Sequence, residues 1–271
     1  MTLPFYAPNE DPGPSFSTML ERVTGDPAVT LDRTDAIGPI THGTTIVALR
    51  TAAGVVLAGD RRATAGNLIA HRMMDKIHAA DRWSAVGIAG AAGPAMEMVR
   101  LFQTELEHYE KVEGTALSLE GKANKLAQMV RAHLPAAMQG LAVVPLFAGF
   151  DARTSDGRLF TYDVTGGRYE ESDHAASGSG GRDARSIVKM RWRAGLDEVE
   201  GIEIAVEALF EAADEDSATG GPDPVRGVYP QVAAVDADGF RFVDDDQIAA
   251  VFGRVIEARR TDSLGGGGSQ P

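Results

Sequence analysis

The stretch His42-Gly43-Thr44-Thr45-Ile46-Val47-Ala48-Leu49, with Val55-Val56-Leu57-Ala58-Gly59-Asp60-Arg61-Arg62 after a short gap, decides how this chain is read. Thr44 to Leu49 is β-branched or apolar throughout, as a buried strand requires. A Gly-containing turn at Ala52 to Gly54 and the apolar run Val55 to Ala58 complete a β-hairpin. Upstream the character changes. Residues 1–43 hold six of the thirteen prolines and six acids against two bases, with one short helix-like piece at Ser17 to Val23. Such a segment is expected to be extended and weakly ordered by itself. It reads either as a tail or as a propeptide, and the Gly43-Thr44 junction decides between them.

Downstream the pattern continues as strands, two helices, strands, two helices, strands and a helix. A second strand pair is expected at about Lys76 to Ala80 and Ser84 to Ile88. Ala95, Val99, Phe102, Leu106 and Tyr109 then share one helical face behind Pro94, and Leu119, Ala123, Leu126, Ala127, Val130 and Leu134 share another, ending near Pro135. Strands follow at about Leu141 to Gly149, Leu159 to Asp163 and Gly167 to Tyr169. After the Gly-rich stretch Ser177 to Gly181, helices are expected over Asp183 to Trp192 and around Ile202 to Ala213. Strands at Val228 to Val235 and Phe240 to Val243, a helix over Gln247 to Arg260 and a flexible tail close the chain. This order lacks the β-α alternation of a parallel doubly wound sheet and predicts an α+β fold, two antiparallel sheets face to face with helix pairs outside.

The 271 residues carry 26 Lys and Arg against 39 Asp and Glu, a net charge of -13 that disfavours nucleic acid and anionic membranes as partners. The absence of cysteine excludes disulfides, thiolate metal sites and a Cys nucleophile, and fits a reducing compartment. No secretory signal is read before Arg22. The longest apolar run, Leu141 to Phe150, is too short to span a bilayer, so a cytoplasmic chain is expected. There is no phosphate-binding GxxxxGK[ST] and no GxSxG. The six histidines lack metal-ligand spacing. Asp236-Ala237-Asp238-Gly239 reads as a hairpin turn. Asp214-Glu215-Asp216 reads as a helix end, and Asp244-Asp245-Asp246 as a turn or helix start.

What remains is Thr44. A threonine hydroxyl is a weak nucleophile that needs a base. Cleavage between Gly43 and Thr44 would place a new α-amine beside that hydroxyl, with a reference pKa of about 8, so that one residue supplies nucleophile and base. Gly43, without a Cβ, permits the tight backbone that self-cleavage needs.

At this point the chain resembles the catalytic proteasome β-subunit family, in its actinobacterial form. Thr44 to Leu49 resembles the family's first mature strand, and Gly59-Asp60-Arg61-Arg62 its GDxR segment. Lys76 falls at its catalytic lysine and Gly87-Ile88-Ala89-Gly90 at its GxxG turn. Ser177-Gly178-Ser179-Gly180 falls at its serine-bearing loop, and Asp216-Ser217-Ala218-Thr219-Gly220-Gly221 at its DSxSGG-type turn. The ordered set covers residues 44 to 258. The resemblance implies a four-layer αββα sandwich of the N-terminal-nucleophile hydrolase type over 44–260, a propeptide over 1–43 and a C-terminal tail over 261–271. It implies Thr44 as nucleophile, Lys76 beside it, Asp60 paired with Lys76, the Gly90 N–H as oxyanion donor, and Ser179, Asp216 and Thr219 orienting the amine. Thr219 stands where many members have Ser. The substrate pocket would fall on Ala63, Met74, His78, Ile88, Ala92 and Met96, an apolar set without a fixed acid, implying cleavage after apolar or aromatic residues, with His78 softening that preference. The chemistry needs no cofactor or metal. The implied partners are other β-subunits and α-subunits in heptameric rings, an ATPase ring reached through the α-ring, and unfolded protein substrates. Two alternatives stay beside this reading. One is a non-catalytic ring subunit, which usually lacks one of Thr44, Asp60 and Lys76. The other is a related hydrolase of the same fold: an amidase, or the simpler ATP-dependent peptidase, whose chain is shorter and has almost no propeptide.

Overall fold

The computed structural model describes residues 43–66 and 68–265, the last four by backbone alone. These all fall in the second of the two units into which the chain divides, the one beginning at Ile40. The expected propeptide up to residue 42, its helix-like piece and the last six residues lie outside the described residues.

The strands are β1 (Thr45–Arg50), β2 (Val55–Gly59), β3 (Ala63–Ala65), β4 (Leu68–His71), β5 (Ile77–Asp81), β6 (Ser84–Gly90), β7 (Val143–Asp151), β8 (Asp156–Tyr162), β9 (Arg168–Glu171), β10 (His174–Gly178), β11 (Gln231–Asp236) and β12 (Gly239–Phe242). The helices are α1 (Ala92–Glu113), α2 (Leu119–Ala132), the short α3 (Leu134–Ala137), α4 (Gly181–Arg191), α5 (Glu198–Glu215) and α6 (Asp245–Gly265). One antiparallel sheet has the order β10-β1-β2-β11-β12, and the other runs β5-β6-β7-β8-β9.

Strand β1 shows why the sequence folds into layers. Successive side chains of a strand point to opposite faces. Ile46 and Ala48 join Leu57, Leu146 and Leu159 in the apolar layer between the sheets. Val47 and Leu49 pack on the other side with Ala205, Leu209 and Ile248 from α5 and α6. Both faces are covered, so the strand reads as an unbroken apolar run rather than an alternation. The second sheet repeats this. Ala85 and Ala89 face the first sheet, while Val86 and Ile88 face α1 and α2 beside Phe102, Phe147 and Phe160. The four-layer αββα arrangement expected above is the one observed.

Local signals set the helix ends. Ser118 accepts from Gly121 N at the start of α2, and Asp197 with Glu200 forms a capping box on α5. Pro135 lies in α3, just past the end of α2. Three strands went unread. β3 and β4 are short and partly exposed, and β10 hides in small residues. Ser177 and Gly178, read as part of a Gly-rich loop, pair with Ile46 and Thr45 across the sheet. Strand β7 begins at Val143 rather than Leu141. Helix α6 is longer than expected at both ends. It starts at Asp245, where carboxylates favour the helix dipole, and runs five residues into the segment read as tail. No helix among the described residues is long and apolar enough to cross a membrane.

Phe147 is fully buried, 5.8 Å from the Phe102 ring and 6.0 Å from the Phe160 ring. Phe147→Ala is expected to lower unfolding free energy by about 3–5 kcal/mol, read as a fall in the denaturation midpoint.

Candidate active site

The strand registers gather one end of the first sheet. Thr45 pairs with Gly178, Ile46 with Gly59, and Gly59 with Gln231. The start of β1, the ends of β2 and β10 and the start of β11 therefore meet. Asp60, the residue after β2, has no exposed surface. Its Oδ1 accepts from Lys76 Nζ at 2.6 Å and from Thr45 N at 2.8 Å. Its Oδ2 accepts from Arg62 N at 2.9 Å and from Gly220 N at 2.8 Å. A buried carboxylate needs such donors to offset lost hydration.

Lys76, just before β5, is 1% exposed. Besides Asp60, its ammonium donates to the Arg62 carbonyl at 2.6 Å and to the Gly43 carbonyl at 3.3 Å. The Lys76 and Ile77 backbone N–H groups both donate to Gln231 Oε1 at 2.9 Å, which fixes the entry into β5. Burial is the largest influence on the Lys76 amine and pushes its pKa below the ordinary lysine value. The Asp60 charge and hydrogen bond oppose this without cancelling it.

A second polar group lies alongside. Thr219 Oγ1 donates to Asp216 Oδ2 at 2.6 Å, and Ser179 Oγ donates to the same oxygen at 2.5 Å. Thr219 has thereby used its one proton, so in the 2.6 Å contact between the Thr45 and Thr219 hydroxyls it is Thr45 that donates. Thr45 Oγ1 accepts in turn from Gly180 N at 2.9 Å. Burial works to raise the Asp216 pKa. The bonds from Ser179, Thr219 and Ala218 N, with the Lys76 charge, outweigh it and hold the carboxyl below the ordinary aspartate value. Asp216 therefore adds stability above that ordinary value, and the gain is lost as pH falls through the folded value.

Thr44 is buried, and its carbonyl accepts from Ser179 N at 2.9 Å. Gly43 N donates to Thr64 Oγ1 at 3.1 Å. A Cβ at Gly43 would lie 1.9 Å from Ala218 Cβ, so no other residue fits there without displacing its neighbours. Gly90 ends β6, two residues beyond Ile88, whose N–H donates to the Lys76 carbonyl at 2.9 Å. Its φ of +110° and the Ala142 oxygen, 2.1 Å from where a Cβ would stand, both demand glycine.

The six positions read as pocket residues are distributed as follows. Ala63 is buried in β3 and Met74 is half-buried before Lys76. Ile88 is 3% exposed within the apolar cluster beneath α1, against which Met96 packs. Ala92 opens α1, half-buried. His78 lies in β5 opposite Val86. Burial pushes its imidazole pKa below the usual value against the opposing Asp75 charge, and its Nε2 is buried without a partner.

Sequence reasoning missed Thr45, Gln231, Gly180 and Gly220. The first two look like ordinary strand residues, and only bonds to segments distant in sequence bring them into the candidate site. The two glycines act through their backbone N–H groups, which carry no residue-type signal.

A family model described as a proteasome subunit matches residues 40–225. A protein named proteasome subunit beta from Acidimicrobium ferrooxidans is 57% identical over 260 residues, covering 96% of this chain and 95% of that relative. Another of the same name, from Acidothermus cellulolyticus, is 57% identical over 230 residues, covering 83% and 79%.

Asp60→Asn would leave the buried Lys76 ammonium without its counter-charge. A loss of about 3–5 kcal/mol in chemical denaturation is expected. A variant as stable as the parent would show that the pair does not hold this end of the sheet.

Proposed function

We propose that this chain, which belongs to the proteasome subunit family, works through Thr44 exposed as a new N-terminus by cleavage after Gly43. It is a catalytic β-subunit and a threonine endopeptidase, and as a β-type member of its family it assembles into proteasome rings with α-subunits. The observation that carries the Thr44 reading is the position of Lys76. Its Nζ sits 2.6 Å from Asp60 and 3.3 Å from the carbonyl oxygen of Gly43, the peptide bond to be cut.

In the uncut chain the Thr44 nitrogen is an amide and cannot act as a base. The Thr44 hydroxyl attacks the Gly43 carbonyl carbon, forming an ester as the Gly43–Thr44 C–N bond breaks. The hydroxyl proton is transferred to the departing nitrogen. Water then hydrolyses the ester, leaving a carboxylate on Gly43 and a free amine on Thr44. The Lys76 ammonium, 3.3 Å from that carbonyl oxygen, polarises it. Substrate peptides follow the same course. The Thr44 hydroxyl attacks the scissile carbonyl while its own amine takes the proton, and the Gly90 N–H donates to the oxyanion. The scissile C–N bond breaks as that proton passes to the departing nitrogen, and water then hydrolyses the acyl ester to a carboxylate and the free hydroxyl. Ser179, Asp216 and Thr219 orient the amine.

The reading extends to residues 1–43 as a propeptide and to heptameric rings fed with unfolded chains by an ATPase, in the cytoplasm. An apolar pocket from Ala63, Met74, His78, Ile88, Ala92 and Met96 favours cleavage after apolar or aromatic residues. Fluorogenic peptides ending in Leu or Tyr are expected to be cut faster than those ending in Asp.

Thr44→Ala is expected to abolish peptide hydrolysis and to leave residues 1–43 attached, as read by intact mass. Thr44→Ser should retain both activities in part. Loss of the first 43 residues by the Thr44→Ala chain on its own would overturn the mechanism. Gly43→Val, which collides with Ala218, is expected to slow the appearance of the mature mass at least about tenfold, the near-attack geometry being lost.

A further inference from the structure

Beside the catalytic group, on the far side of Arg62 and Gly220, lies a cavity of about 40 Å³. Arg61, Arg62, Arg72 and Arg226 all line it, with one carboxylate, Asp223. Four guanidinium groups around one acid is a local reversal of sign in a chain of net charge -13. The arginines are incompletely neutralised. Arg226 pairs with Asp223 at 2.5 Å, and Arg61 reaches Asp75 only at 3.5 Å. Arg62 spends one N–H on the Ser217 carbonyl. Arg72 has no ion pair among the described residues. The Arg61 Nε is buried without a hydrogen-bond partner, a state that native structures seldom leave unexplained.

We propose that these four arginines form a site for a carboxylate or a small oxyanion. Guanidinium groups bind such groups through paired N–H donors, and a pocket that draws them from separate segments selects a compact anion over a diffuse one. The volume agrees. One water needs about 10–15 Å³ of such space, so the cavity holds about three atoms of that size, the scale of a carboxylate. The location gives the site a consequence. Arg62 N and Gly220 N, the two donors to Asp60 Oδ2, belong to residues that wall the cavity. An anion clamped there braces the loop that holds Asp60 and Lys76. A free oxyanion and an acidic side chain of a bound peptide share this chemistry.

Both sources are tested on the assembled full-length protein. Inorganic phosphate, titrated against sodium chloride at equal ionic strength, is expected to raise the thermal midpoint by several degrees. In Arg72→Gln/Arg226→Gln the apparent phosphate affinity should fall about tenfold or more. The second arm rests on the protease reading and uses fluorogenic peptides that differ only by Glu or Gln at successive positions. A lower KM for Glu at one position, lost in the double variant, assigns the site to substrate. The phosphate arm does not depend on peptide hydrolysis, so failure of the protease reading is told apart from failure of this one. Arg72→Gln alone, at an exposed position, gives the same readouts if the double variant does not fold. The proposal is overturned if neither phosphate stabilisation nor a Glu preference is seen. It is equally overturned if the effect seen persists unchanged in the arginine variants.

Discussion

The Asp60 carboxylate collects hydrogen bonds from four places: the first residue of β1, the residue before β5, the loop after β2 and the loop after α5. A charge with no access to water is tolerated only when every lone pair is occupied. That requirement ties the two sheets together at the end where Thr44 enters. The apolar layers fix which faces meet, and any closely packed sandwich would satisfy them. The carboxylate and its donors fix the relative position of four backbone segments to hydrogen-bond tolerance. That is the precision a reacting hydroxyl needs.

Thr45 has a part in both polar groups. Its N–H goes to Asp60, and its hydroxyl donates toward Thr219 and accepts from Gly180. Because Thr219 has a single proton and gives it to Asp216, the direction of the whole chain of hydroxyls is set. A serine, the residue the family resemblance suggests at position 219, would supply the same donor. Thr219 is fully buried, so its added methyl sits in packed surroundings.

Much of this was legible in the sequence where local rules apply. The apolar run of β1, the helical stripes under α1 and α2 and the Asp236–Gly239 turn follow from periodicity and turn chemistry. β10 escaped because His174-Ala175-Ala176-Ser177-Gly178 has neither alternation nor β-branched residues; its strand character comes from pairing with β1. The candidate site was legible as an ordered set of motifs resembling a family. Spacing by itself does not set Asp60 and Lys76 apart from other charged residues at strand ends. Their burial depends on contacts between segments 16 residues apart, which no periodicity encodes. Gln231 was invisible for the same reason, since it reaches the Lys76 backbone across 155 residues.

The backbone on either side of Thr44 is held unequally. Downstream, the Thr44 carbonyl is fastened by Ser179 N and the Thr45 N–H by Asp60, each one residue past the end of a strand neighbouring β1. Upstream, the Gly43 carbonyl meets the tip of a lysine side chain and its N–H meets a threonine hydroxyl. A cut after Gly43, as proposed, would thus free only one side. Under the proposed cleavage the new terminus at Thr44 would stay where β1 already holds it, its address written into the strand, while the contacts given up at Gly43 are both to side chains.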